Sequence, residues 1–370
     1  MSLYLLALFC SPTLKAVFLA VFIIATIYFY SCNYKTLEIK SIPWFFKLFF
    51  LNELLRLLLG IFHNANYILH FKNFFLAIIT WLAISLILQN ADKQKLAQTV
   101  SLSGFLVSVY ILLQCLSILP VKNPGIYGFL QQPFTNSGLL LAALYFTLYL
   151  LDQESRKTYK NIYLVIFLCN LSAIFVLGQV TVWAATLVSL FIYAFLSKKL
   201  SLKNFLLLVL VFVSIISLAS FSSPRIMRKL SWFTDIKKLT SNRSIECRMA
   251  IWQINLDKLK TSPILGFDKV QPYLCEMKDE VSKLSHAHNI YLQKLFEGGL
   301  IKFFVWMLFY CSLGLMLYSK KSYSFLCYFL AISLEGLLEN WWGDSEVLSL
   351  FLFTMLFVYH VELTNARKTK

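Results

Sequence analysis

The sequence predicts an all-α protein, a polytopic transmembrane helical bundle of 11–12 spans with one large outer-side loop. Three observations predict it. Apolar residues fill 59% of the 370 positions, with a mean hydropathy of +0.69. Charged residues fill only 14%, against about 25% in ordinary soluble domains. The apolar residues run in long unbroken stretches, not in the alternating segments of about ten residues that build a membrane barrel. Together these exclude a soluble enzyme, a disordered chain and a disulfide-stapled secreted domain.

A span takes roughly 20 mostly apolar residues. The candidates in order are 16–32, 42–62, 71–89, 100–119, 134–151, 162–177, 180–196 and 202–221, then 300–318, 323–338 and 347–363. Segment 42–62 carries Lys47, Glu53 and Arg56. Glu53 and Arg56 are three apart, so on a helix they share a face and can pair. Residues 2–10, before Pro12, are too short to count alone but would make a twelfth span. The chain then divides into helices over 1–222, a polar loop over 223–298 and further helices over 299–370.

Orientation follows from basic residues, which concentrate in cytoplasmic loops. With the C-terminus cytoplasmic, the inside segments hold 15 Lys and Arg and the short outside loops hold 2. The outside loop 339–346 carries Glu339, Asp344 and Glu346 and no base. The long loop is then periplasmic if the cell has an outer membrane. The net charge of +16 belongs to these loops and to anionic headgroups, so membrane lipids rather than nucleic acid are the expected partners. The eight cysteines show no metal-binding spacing. Six lie in or beside apolar runs, and Cys247 and Cys275 share the polar loop. A disulfide there would be worth about 3 kcal/mol in the chain-entropy model.

The loop holds 13 basic and 8 acidic residues and is too long for a plain connector. Residues 243–260 have helical spacing, with Ile251, Ile254 and Leu259 as an apolar stripe, and Pro263 beyond the end. Such a helix suits the membrane surface, with Trp252 anchored in the interface. Arg225, Arg228, Arg243 and Arg248 offer the bidentate donors that grip a phosphate or diphosphate; on charge alone a solvated or headgroup-facing basic surface is the commoner explanation. His286 and His288, two apart, allow three readings. Zinc would need further ligands from Glu276, Asp279 or Glu280. A general base suits an imidazole near neutral pH. A hydrogen-bonded interfacial pair is the plainest. Gly298 and Gly299 would let the chain turn tightly into the next span.

These residues resemble the signature of bacterial O-antigen ligases and the related O-antigen polymerases: His-(Asn/Ser/Gln), nine residues, Gly-x-x-(Gly/Thr/Tyr). Here it reads His288-Asn289, nine residues, then Gly299. Arg248-Met249-Ala250-Ile251-Trp252 is similar to the family's Arg-x-x-x-aromatic element, and Pro263-Ile264-Leu265-Gly266 to its Pro-apolar-apolar-Gly continuation. Gly128-Phe129 through Pro133-Phe134-Thr135-Asn136 loosely resembles the loop before a mid-chain span. Lys302 departs from the last signature position, and Thr181 stands where the family carries an Arg. The resemblance implies glycan transfer from undecaprenyl diphosphate to a hydroxyl, without metal or cofactor. The acceptor would be lipid A–core for a ligase, or a lipid-linked glycan for a polymerase. It implies His288 as base and Arg248 as diphosphate ligand. Arg243 would be a second cation, with Arg225 and Arg228 available to replace the missing Arg, and His286 and Asn289 would orient His288. It places the protein in the bacterial inner membrane. A flippase of lipid-linked sugars, or a non-catalytic membrane subunit, remains as a rival reading.

Overall fold

The structure is a computed structural model. It describes residues 44–63, 91–121, 132–197, 243–277, 280–341 and 345–368, with isolated positions 74, 78, 84, 85, 88, 128 and 130. The expected spans 16–32 and 202–221, the segment 2–10, most of 71–89, and Arg225 and Arg228 lie outside the described residues.

Eight expected spans are helices: α1 Trp44–Phe62, α2 Lys93–Cys115, α3 Pro133–Gln153, α4 Lys157–Val176 and α5 Val180–Ser197, then, beyond the loop, α7 Ile290–Ser319, α8 Tyr323–Glu335 and α9 Ser345–Lys368. Of these, α2, α3, α4, α5 and α7 are long and apolar enough to cross a membrane. The chain is therefore a polytopic helical bundle. Local chemistry sets the helix starts. The Asp92 carboxylate accepts from the Lys95 N–H at 3.1 Å and caps α2. Pro133 opens α3, where its missing N–H costs nothing.

The centre of the bundle is α3, buried all round from Thr135 to Leu148. A helix apolar on every face belongs in such a position. On one side it packs with α2 and α4. Gly104 admits this approach, since a Cβ there would lie 2.2 Å from the Ala143 Cβ, and small residues bring membrane helices together. Hydrogen bonds pair Ser101 with Thr147 at 2.6 Å and Ser108 with Asn170 at 2.8 Å. On the other side Tyr145 reaches Ser189 of α5 and stacks obliquely on Tyr328 of α8. Phe146 meets Phe325 of α8 and Phe353 of α9. Helix α1 lies on α7, with Phe49 and Phe309 centroids 5.5 Å apart.

The loop is folded. Helix α6 runs Arg243–Leu259, and β1 Tyr273–Met277 pairs antiparallel with β2 Glu280–Leu284 from Tyr273↔Leu284 to Met277↔Glu280. This hairpin is the one strand pair among the described residues of an otherwise all-α chain. Cys247 of α6 is bonded to Cys275 of β1. Ile251, Val270, Ala287 and Phe296 form a small separate core, with Trp252 and Leu259 against it. Trp252 is partly buried against this core. Its indole N–H donates to the Ala287 carbonyl, because a buried indole needs an acceptor.

Helix α7 is broken at Gly299, whose φ of 60° and ψ of −163° are non-helical. The break frees backbone groups on both sides, and residues 263–268 take them. Leu300 N–H donates to Pro263 O at 2.9 Å, and Phe267 N–H donates to Phe296 O at 3.0 Å. Asp268 N–H donates to Glu297 O at 3.2 Å. Gly266, at φ 66°, meets Gly299 backbone to backbone; a Cβ on Gly266 would sit 2.4 Å from Gly299 N. The expected turn at the two glycines is therefore present, and it serves as a docking slot for the Pro263–Gly266 segment.

Candidate active site

The site lies where α8 ends and α7 begins. Ile290 N–H donates to Gly336 O at 2.9 Å, tying the two ends together. Just beyond Gly336, Glu339 turns inward. One of its oxygens, Oε1, lies 3.0 Å from His288 Nδ1. The other, Oε2, accepts from Arg248 Nη2 at 3.4 Å, and Arg248 Nη1 donates to Leu338 O at 2.6 Å. The side chains are 16% exposed for His288, 18% for Arg248 and 10% for Glu339. An imidazole, a guanidinium and a carboxylate thus meet in one half-buried place, from elements distant in sequence.

His288 has φ of 48°, a left-handed conformation in a residue with a Cβ. That costs roughly 1–2 kcal/mol, and such strain persists only where surroundings impose it. Asn289 supplies part of the constraint. Its Oδ1 accepts from Leu292 N–H at 2.9 Å as the α7 cap, and its Nδ2 donates to Leu337 O at 2.9 Å. The His286 ring lies 4.1 Å from the His288 ring, centroid to centroid. Burial first, and then the neighbouring His288, lower the His286 pKa, with Glu339 opposing. Burial also lowers the Arg248 pKa against the pull of Glu339.

Of the residues expected from sequence, Arg248, His286, His288 and Asn289 come together. Arg243 heads α6, more than a turn away from Arg248 along the helix. Thr181 stands in the first turn of α5. Tyr193 of α5 bonds Asp152 at the far end of α3, at 2.6 Å, so α5 begins at the end of the bundle that carries the site. Glu339 was not anticipated as a site residue. Its signal was an acidic outside loop in a basic protein, adjacent to a helix end. His286, His288 and Glu339 offer donor atoms within 4.8 Å of one another, a set able to hold a metal ion. Arg248 places a competing positive charge on the same carboxylate.

A polytopic bundle whose long loop folds back to set ionisable groups at one end defines a class of membrane protein, and the comparison narrows it. Residues 162–307 match the family model described as O-antigen ligase. The resemblance carried by the signature is thereby shown over that stretch, which holds Arg248, His286, His288 and Gly299 and stops before Glu339. No curated protein is similar enough to the chain to count as a match.

Proposed function

We propose that the protein transfers a glycan from undecaprenyl diphosphate to a hydroxyl acceptor, ligating O-antigen to lipid A–core. O-antigen polymerisation, with a lipid-linked glycan as acceptor, is the same chemistry and the alternative. The observation that carries the reading is the Glu339 bridge between His288 and Arg248. The carboxylate holds the proton on His288 Nδ1 and leaves Nε2 free to accept one. The acceptor O–H gives its proton to Nε2 as its oxygen bonds the anomeric carbon. The bond from that carbon to the diphosphate oxygen breaks, and the diphosphate leaves with the electron pair. Arg248 stabilises the charge that develops there. The donor arrives activated, so no nucleotide takes part, and we assign no role to a metal. In this reading the enzyme sits in the inner membrane, with the loop periplasmic and the C-terminus cytoplasmic.

The test is transfer by purified protein from a lipid-linked donor. His288→Ala should lower the rate by about 10²–10⁴-fold, the usual worth of a general base, with membrane abundance unchanged. Arg248→Lys keeps charge but loses the bidentate fork, and should also lose most transfer. Chelation with EDTA should leave the rate unchanged. Transfer surviving in His288→Ala would remove the base. Donor that is translocated but not consumed would indicate a transporter. In a deletion strain, accumulation of lipid-linked polymer indicates a ligase and a single-repeat band a polymerase.

A further inference from the structure

A group of polar and charged residues beside the site has no part in the chemistry above: Glu53 and Arg56 of α1, and Gln293, Lys294, Glu297 and Lys302 of α7. Gln293, Lys294 and Lys302 are buried. Glu297 Oε2 lies 3.6 Å from Lys294 Nζ and 3.4 Å from Lys302 Nζ. Arg56 pairs with Glu53 at 3.6 Å and is within electrostatic reach of Glu297. Lys302, the departure from the family signature, lays its stem over Gly298, where a Cβ would come within 2.2 Å of the Lys302 Cδ. Three cations therefore lie around Glu297.

The carboxylate in turn orients an amide. Gln293 Nε2 donates to Glu297 Oε1 at 2.7 Å. The amide oxygen must then point the other way, and it accepts the Ala287 N–H at 2.8 Å. Ala287 lies between the two histidines and is fully buried. Its carbonyl is taken by Trp252. Both backbone groups of the residue before His288 are thus held by side chains, immediately ahead of the left-handed φ that aims the imidazole at Glu339.

We infer that Gln293 is a positioning residue for transfer: anchored by Glu297, it clamps the Ala287 backbone and so sets the direction of His288. The inference rests on the reading of His288 as base. A base displaced by a fraction of its hydrogen-bond length still binds substrates but transfers the proton poorly, so the effect falls on kcat rather than KM. Misplacement on this scale costs up to about a hundredfold.

The experiment compares full-length variants with a lipid-linked glycan donor and saturating acceptor. Gln293→Met keeps length and removes the amide. It should lower kcat about ten- to a hundredfold, with donor KM and melting temperature near wild type. Gln293→Glu, which sets two carboxylates against each other, should do the same. The exchange Gln293→Glu with Glu297→Gln restores an acceptor for Ala287, a donor between the side chains and the negative charge among the lysines. It should recover most of the lost rate. Wild-type kcat in Gln293→Met overturns the inference, as does an exchange variant no faster than Gln293→Glu. Where Gln293→Met melts early, the exchange variant decides: folded and active sustains the inference, and any other result overturns it. His288→Ala, measured alongside, separates the two levels. If it is inactive beside a fully active Gln293→Met, only the positioning role fails; if it is active, the base reading fails and takes this inference with it.

Discussion

His288 and Glu339 are 51 positions apart in sequence and 3.0 Å apart in space, joined through His288 Nδ1 and Glu339 Oε1. The segment between them contains all of α7 and α8, so two helices must pack correctly before the pair exists.

Glu339→Gln tests that pair. The amide can donate to His288 Nδ1, which moves the ring proton to Nε2 and blocks proton acceptance. Or it can accept from His288 and turn its NH₂ towards Arg248, which repels it. The first choice keeps both contacts but fixes the wrong tautomer, and the second loses Arg248. Transfer should fall by about 10²-fold or more while the protein still reaches the membrane at normal abundance. A near-normal initial rate with purified donor would show that the carboxylate is dispensable.

Cys247 adjoins Arg248 in α6, and its disulfide to Cys275 closes a separation of 28 residues with Cα atoms 5.9 Å apart. Loss of such a crosslink costs about 3 kcal/mol in the chain-entropy model. Cys247→Ser with Cys275→Ser should lower the melting temperature and open the loop to protease, with a smaller loss of activity than His288→Ala. Thiol counting on denatured, unreduced protein checks the bond directly; labelling of Cys247 or Cys275 would refute it.

Protonation of His286 gives a pH dependence of known sign. Its pKa is lowered in the folded state, mainly by burial, so below about 6.5 the unfolded chain binds more protons at this residue. Stability is complete above that pH and is lost as pH falls through it towards the lowered value. Loop protection against proteolysis should therefore decline on acidification, and His286→Gln should flatten that part of the profile. An unchanged profile in His286→Gln would assign the dependence elsewhere.

Gly299→Ala should be strongly destabilising. A backbone at φ 60° and ψ −163° lies in a region that essentially only glycine occupies, and costs a residue with a Cβ about 1–3 kcal/mol. Here the new Cβ would also meet the Ile264 carbonyl oxygen at 2.3 Å, a backbone atom that cannot swing aside. The measurement is melting temperature and abundance in membranes. A neutral substitution would mean that residues 263–268 do not occupy the helix break.

Much of this was legible in the sequence because bilayers impose strong patterns. Hydropathy placed eight of the described helices, and the 3.6-residue period placed α6. The signature spacing brought His288 and Gly299 forward, and the two glycines announced their turn. The misses share a physical cause: they depend on distance across the fold. Glu339 could be read for the sign of its charge but not for its partner. Gln293 lies within the signature's nine-residue interval, and nothing local says that its amide reaches back to Ala287. The hairpin is short and lacks the Asn-Gly or Asp-Gly turn that marks tight hairpins. Lys302 departs from the signature by type, and its place over Gly298 and beside Glu297 follows only from the fold.

The threading of residues 263–268 into the break of α7 constrains how these proteins can be recombined. A fragment ending at Gly298 would leave Pro263 O without the Leu300 N–H, and His288 without the carboxylate of Glu339. Grafting the long loop of one such protein onto the bundle of another would therefore transfer half a site. A functional chimera must exchange the segment from α6 through Glu339 as one unit, including α7 and α8. Divergence among such proteins should follow that unit, with its two ends changing in step.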